Sequence, residues 1–127
     1  MMQDGLDNSS IPVLVVDDEP DLLDVMRFVL ESEGFGVETA RNGKEALERL
    51  GAGWSPGLVL LDLMMPVMNG WTFLDEVSKN PVLKGIPVVV LTASRAEGVP
   101  GAAVVLHKPV DLGLLIQTVE RLARGAI

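Results

Sequence analysis

Apolar residues gather into five short runs along the chain: Ile11 to Val16, Gly36 to Ala40, Leu58 to Asp62, Val88 to Leu91 and Ala103 to Leu106. Each is bounded by polar or turn residues. Runs of strand length that are continuously apolar, rather than alternating, suit strands covered on both faces, as in a parallel sheet. Gly36 to Ala40 has the weakest pattern of the five. Between the runs the spacing changes to that of a helix. Leu22, Val25, Met26, Val29 and Leu30 share one predicted face, and Ala46, Leu47 and Leu50 another. Trp71, Leu74 and Val77 form a third, with Phe73 beside it and half-buried. Leu112, Leu115, Ile116, Val119 and Leu122 form the last.

Punctuation supports these elements. Asp17-Asp18-Glu19-Pro20 opens the first helix, because acids and proline suit a helix N-terminus. Gly34 closes it. Asn42-Gly43 precedes a short helix over Lys44 to Leu50, Gly70 opens one that runs to Ser78, and Asp111 starts the last. Trp54, in the loop from Gly51 to Gly57, is expected to cover a core edge. Strands alternating with helices predict a doubly wound α/β fold with right-handed crossovers. The exception falls between the fourth and fifth strands. Gly98, Pro100 and Gly101 crowd that segment, and within a helix Pro costs ~3 kcal/mol and each Gly ~1 kcal/mol. A missing helix, or at most one turn, is predicted there.

The 127 residues suffice for one domain with a real core. Residues 1–10 read as a polar, flexible tail and 11–125 as the domain. No run approaches a membrane span of ~18 apolar residues, and the start lacks the pattern of a signal peptide. A cytoplasmic location is expected. Cysteine is absent, which excludes disulfides and thiolate metal sites. Eighteen acidic residues stand against ten basic ones, a net charge of −8. That argues against a nucleic-acid surface, which needs basic patches.

In a parallel sheet the strand ends converge. The first strand ends in Asp17 and Asp18, the third in Asp62, the fourth in Thr92 and the fifth in His107-Lys108-Pro109. Two carboxylates ~4 Å apart repel by about 4 kcal/mol at an effective dielectric near 20. Such a group must protonate, recruit Lys108 or bind a cation. Oxygen donors without His or Cys favour a hard cation, Mg²⁺ first. The chemistry that suits the set is phosphoryl transfer to Asp62, with Thr92 and Lys108 on the transferring oxygens. His107 reads as a neutral strand-end residue. Met64, Met65 and Met68 read as packing or loop-lining residues.

These residues carry a resemblance. Val-Val-Asp17-Asp18-Glu-Pro, Leu-Leu-Asp62-Leu-Met-Met-Pro-Val-Met-Asn-Gly, Leu-Thr92-Ala and Lys108-Pro109 resemble the motifs of response-regulator receiver domains, the CheY-like phospho-acceptors of two-component signalling. The spacings, 44 residues from Asp18 to Asp62 and 30 from Asp62 to Thr92, fit as well. The resemblance spans about residues 11 to 124 and implies a flavodoxin-like sheet of order 2-1-3-4-5. It implies Asp62 as phospho-acceptor, and Asp17, Asp18, Asp62 and the Met64 carbonyl around Mg²⁺. It implies Thr92 and Lys108 on the phosphoryl group, and a cis Lys108-Pro109 bond. The implied partners are a sensor histidine kinase or a phosphotransfer protein, with the chain a monomer or weak dimer. It would catalyse its own phosphorylation and dephosphorylation without being an enzyme for an outside substrate.

Two departures stand out. Val105 occupies the position, three before the lysine, where the family usually has Tyr or Phe, and Ser94 to Ala102 is shorter than the usual fourth helix. Output is therefore expected through another face or through loop order. An aspartyl-phosphate phosphatase is disfavoured, because its general-acid Asp would fall at Met64. A flavodoxin-like FMN binder is disfavoured because Asp17-Asp18-Glu19 would repel a phosphate. A phosphorylation-independent binding module is the main alternative.

Overall fold

The structure, a computed structural model, describes residues 11–95 and 98–124. The expected tail over residues 1–10 lies outside the described residues. Five strands form one parallel sheet: β1 (Pro12–Val16), β2 (Gly36–Ala40), β3 (Leu58–Asp62), β4 (Val88–Thr92) and β5 (Val104–His107), in the order β2-β1-β3-β4-β5. Four helices, α1 (Pro20–Ser32), α2 (Gly43–Gly51), α3 (Gly70–Ser78) and α4 (Leu112–Ala123), flank it. The strand order and the parallel pairing are those expected.

Strand alternation divides the core in two. Leu14, Val16, Val59, Leu61, Val88 and Val90 face one side, against Ala46 and Leu50 of α2 and Phe73, Leu74 and Val77 of α3. Val13, Val15, Leu58, Leu60, Val89 and Leu91 face the other, against Leu23, Met26 and Leu30 of α1 and Leu115 and Val119 of α4. Every residue of β3 and β4 is buried, which is why their sequences show no alternation.

Side-chain caps fix three helix starts. Asn42, Asn69 and Asp111 accept the backbone N–H of Glu45, Thr72 and Leu114 at 2.8, 2.9 and 3.0 Å, each satisfying a donor that the helix leaves open. At α1 the N-cap is Glu19, with Pro20 at the first helical position and no side-chain cap.

Two helix faces differ from expectation. In α3, Phe73 is fully buried and Trp71 is 42% exposed, the reverse of the predicted arrangement. The buried set is Gly70, Phe73, Leu74 and Val77. A Cβ on Gly70 would lie 2.8 Å from both the Asp62 carbonyl oxygen and Leu63 Cα, so the helix turns its side-chain-free residue to the sheet. In α1 the buried set is Leu23, Met26 and Leu30, while Val25 is exposed and Leu22 and Val29 are half-buried. In α4, Leu115 and Val119 are buried but Leu112 is exposed.

Among the described residues between β4 and β5 there is no helix. Gly98 and Gly101 have φ of 62° and 92°, values glycine adopts without the penalty other residues meet. Val99 is buried in the α2–α3 side of the core, and the Ala102 amide donates to the Val99 carbonyl at 3.1 Å. Without a helix there, β5 is only half-buried.

Candidate functional site at the carboxyl edge of the sheet

Asp62 ends β3, and β1 gives way to Asp17 one residue past Val16. The Asp17 amide donates to the Ala40 carbonyl at 3.0 Å, which carries the β1–β2 ladder one step beyond the strand. Asp17 and Asp62 are buried and Asp18 is exposed. Each offers an oxygen within 4.8 Å of the others.

The two buried carboxylates are partnered. Asp17 Oδ1 accepts the Glu19 N–H at 2.9 Å, and Asp62 Oδ1 accepts the Met64 N–H at 3.3 Å. Lys108 Nζ lies 3.2 Å from Asp17 Oδ2 and 3.9 Å from Asp62 Oδ2. Lys108 reaches this edge because its amide donates to the Thr92 carbonyl at 2.8 Å, beyond the last β4–β5 register pair, Thr92 with His107. The Lys108-Pro109 bond is cis, as expected.

Burial raises the Asp62 carboxyl above its ordinary 3.8, and the Asp17 charge raises it further. Lys108 and the Met64 N–H pull the other way, and Asp18 adds a smaller upward push. One ammonium thus pairs with Asp17 and Asp62, while Asp18 adds a third carboxylate to the cluster. A hard dication at this point would relieve the remaining repulsion, and an all-oxygen set in which Asp18 faces solvent fits Mg²⁺, which keeps several waters. Asp17, Asp18 and Asp62 would hold it.

Thr92 ends β4 and is fully buried. In register, Leu91 pairs with Asp62, so Thr92 sits one residue further along the same edge. Its Oγ1 donates to Ser94 Oγ and accepts the Ser94 N–H, both at 3.1 Å. Sequence reasoning missed Ser94. The signal was present: a Thr followed two residues later by Ser at a strand end is where hydroxyl-to-backbone turns form.

The loop from Asp62 to Gly70 is tightly shaped. Pro66 to Met68 forms a γ-turn, with the Met68 N–H on the Pro66 carbonyl at 2.7 Å and Val67 at φ 69°. Gly70 N–H donates to the Leu63 carbonyl and Gly43 N–H to the Met68 carbonyl, both at 3.0 Å. A Cβ on Gly43 would meet the Met68 side chain at 2.8 Å. Neither contact was foreseen, since Gly43 read only as preceding a helix and Gly70 only as opening one. Met65 is buried, Met68 half-buried, and Met64 exposed at the loop surface. His107 is exposed at the end of β5, and Trp54 packs, half-buried, on the core as predicted.

No described helix is long and apolar enough to cross a membrane. Residues 13–120 match the family model of the response regulator receiver domain. The chain is 40% identical over 119 residues to a transcriptional regulatory protein CpxR homolog of Haemophilus influenzae, covering 88% of this chain and 50% of that protein. It is 39% identical over 119 residues to an uncharacterized 14.6 kDa protein of Leptolyngbya boryana, covering 89% of this chain and 90% of that one. It is 36% identical over 121 residues to the response regulator PleD of Caulobacter vibrioides, covering 91% of this chain and 26% of that protein. The chain thus spans half or less of the longer relatives. Among solved structures, the signal receiver domain of a histidine kinase from Syntrophus aciditrophicus superposes with a TM-score of 0.85 at 30% identity, over 91% of this chain and 92% of that one. A CheY-like receiver domain protein from Methanospirillum hungatei gives 0.78 at 31%, over 90% and 97%. With its five-stranded parallel sheet and the acidic edge it carries, the chain belongs to the response regulator receiver domain family.

Proposed function

We propose that this domain accepts a phosphoryl group on Asp62 from the phosphohistidine of a sensor histidine kinase or phosphotransfer protein, and later releases it to water. One observation carries this reading: Asp17, Asp18, Asp62 and the Lys108 ammonium meet at one sheet edge, with the ammonium 3.9 Å from Asp62 Oδ2. In the forward step an Asp62 carboxylate oxygen attacks phosphorus. The P–N bond breaks and its electron pair stays on the imidazole nitrogen. In the return step water attacks phosphorus, the aspartyl O–P bond breaks, and inorganic phosphate leaves with the Asp62 carboxylate restored. Mg²⁺ bound by Asp17, Asp18, Asp62 and the Met64 carbonyl would supply the charge neutralisation that such transfer needs. Lys108 pairs with a phosphoryl oxygen, and the Thr92 hydroxyl donates to another. The chain then acts on no outside substrate, and its place is the cytoplasm, where a kinase's phosphohistidine is presented.

Intact mass after incubation with acetyl phosphate tests this. The expected result is a gain of one phosphoryl group with Mg²⁺ and none with a chelator. Asp62→Asn is expected to gain none. Uptake by Asp62→Asn equal to the parent's would remove the acceptor assignment.

Val105, half-buried where the family resemblance implies an aromatic ring, favours one further reading: a module that binds its partner unphosphorylated. Partner affinity that is the same before and after phosphorylation would select it.

A further inference from the structure

Gly43 is the first residue of α2, and it is buried. Its φ is not positive, so nothing in its own conformation requires glycine, and alanine is the better helix former. What requires glycine is a neighbour. A Cβ at this position would lie 2.8 Å from Met68 Cγ, 2.9 Å from the Met68 carbonyl oxygen and 3.0 Å from Met68 Sδ. By contrast, a Cβ on Gly51, at the other end of the same helix, would meet nothing within 4 Å.

The close approach makes a bond. The first N–H groups of a helix have no partner within the helix. At α2 the Asn42 side chain takes the Glu45 N–H at 2.8 Å, and the Met68 carbonyl takes the Gly43 N–H at 3.0 Å. The start of α2 thus holds a carbonyl of the loop that follows Asp62. The loop's other bonds are to itself and its flanking elements. Met64 N–H donates to Asp62 Oδ1, Met68 N–H to the Pro66 carbonyl and Gly70 N–H to the Leu63 carbonyl, while Asn69 caps α3. Of these bonds, the one from Gly43 alone ties the loop to an element other than β3 and α3.

We propose that Gly43 is a positioning residue for the acceptor loop: its N–H, brought close because it carries no side chain, fixes the Met68 carbonyl and with it the segment from Leu63 to Asn69 that presents the Met64 carbonyl to Mg²⁺. This rests on the reading above, in which that carbonyl is a ligand. Mg²⁺ demands near-ideal octahedral geometry, whereas Ca²⁺ accepts a looser shell. A loop fixed from α2 therefore favours Mg²⁺ over Ca²⁺, and displacing the loop erodes that preference.

Gly43→Ala, with Gly51→Ala as control, tests the proposal in two arms on the whole chain. The first needs no metal. Amide hydrogen exchange is measured in chelator, with Leu60 and Leu61 of β3 reporting global opening. Relative to those two, the Met68 and Gly70 amides of Gly43→Ala are expected to exchange about fivefold faster than in the parent, the order of factor that one net hydrogen bond commands. Gly51→Ala is expected to show no such acceleration. Parent-like ratios in Gly43→Ala, or the same rise in Gly51→Ala, overturn the proposal.

The second arm titrates the folded proteins with Mg²⁺ and with Ca²⁺ in a calorimeter. In Gly43→Ala the Mg²⁺ Kd is expected to rise about tenfold, the lower end of what outer contacts of a metal ligand command, and the Ca²⁺ Kd to rise less. A loss of fold stability alone would leave both Kd values of the folded protein in place. An unchanged Mg²⁺ Kd, or equal losses for the two ions, overturns the positioning role. If Gly43→Ala does not fold, the substitution is made in Met68→Ala, which removes the Cγ and Sδ contacts and leaves the carbonyl one. The same shifts are expected there relative to Met68→Ala alone, and their absence overturns the proposal. A parent that binds no Mg²⁺ is a different result. It overturns the metal reading of the edge and the role toward it, while the first arm still decides whether Gly43 holds the loop.

Discussion

At Asp62 the fold holds a charge where it is disfavoured. The folded protein binds the Asp62 proton more tightly than the unfolded chain does, because burial and Asp17 raise the folded value above the ordinary 3.8. Stability therefore falls as pH rises from that ordinary value through the raised one, and the penalty is complete above both. Asp62→Asn removes the charge and keeps the shape. In chelator at neutral pH it is expected to stabilise the domain by about 1–2 kcal/mol, a fraction of the ~4 kcal/mol repulsion of an unrelieved pair. The gain should vanish below about pH 3.8. Urea melts of both proteins across that range check the sign. Val67 is a second strained residue, β-branched at φ 69° and exposed. The left-handed region costs a non-glycine residue about 1–2 kcal/mol, and glycine's added chain entropy returns ~0.5–1 kcal/mol of that. Val67→Gly is expected to raise stability by about 0.5–1 kcal/mol in the same melts. The repulsion at Asp62 was foreseen from the converging strand ends, but the strain at Val67 was not. Val67 looked like an ordinary turn neighbour, because the chain alone does not reveal a positive φ at a valine.

At the scale of elements, the strands were legible and the helix faces only partly so. β3 and β4 are apolar throughout because both faces are covered, and their polar last residues, Asp62 and Thr92, mark where the edge begins. Helix rotation was harder to read. For α3 the stripe Trp71, Leu74, Val77 and the observed set Gly70, Phe73, Leu74, Val77 share two residues and differ by part of a turn. What decides between them is Gly70, pressed against the Asp62 carbonyl and Leu63. A residue with no side chain gives no hydrophobic signal. The consequence is a contrast between neighbours. Phe73→Ala opens a cavity in the core and is expected to cost about 3–5 kcal/mol, whereas Trp71→Ala trims a partly exposed ring and should cost about 1 kcal/mol or less. Comparable losses in thermal melts of the two variants would mean that the helix is rotated as first predicted. The lack of a helix among the described residues between β4 and β5 was legible for a definite reason: Gly98, Pro100 and Gly101 each oppose helix, and the two glycines adopt positive φ.

For the whole molecule, the parallel topology does what no single residue does: it brings groups far apart in sequence to one edge. Strand direction alone points Asp17, Asp18, Asp62, Thr92 and Lys108 to one edge, and in the fold the three carboxylates and Lys108 gather there with Thr92 at the end of β4. The surrounding contacts were less legible: the hydroxyl turn from Thr92 to Ser94 was overlooked, and Gly43 meets Met68 through backbone atoms that leave no side-chain signal. The assembled edge also ties site occupancy to global stability. In the unfolded chain Asp62 is far from the adjacent Asp17 and Asp18, and the set binds a dication weakly. In the fold each has an oxygen within 4.8 Å of the others. A ligand that binds only the folded state adds RT ln(1 + [L]/Kd), about 2.7 kcal/mol at a hundredfold excess over Kd. For a domain of this size that corresponds to a rise in Tm of roughly 10 °C. Mg²⁺ is therefore expected to raise the Tm of the parent by about that amount, climbing with the logarithm of its concentration once saturated. The rise should be largely lost in Asp18→Asn, whose exposed side chain can be exchanged without disturbing the core. The two stability effects also interact. Bound Mg²⁺ relieves the repulsion that Asp62→Asn removes, so the stability advantage of that variant in chelator should shrink or reverse in saturating Mg²⁺. A Tm that ignores Mg²⁺ in both proteins would mean that Lys108 alone balances the acidic edge, and that its carboxylates stand as an ion-paired cluster and not a metal centre.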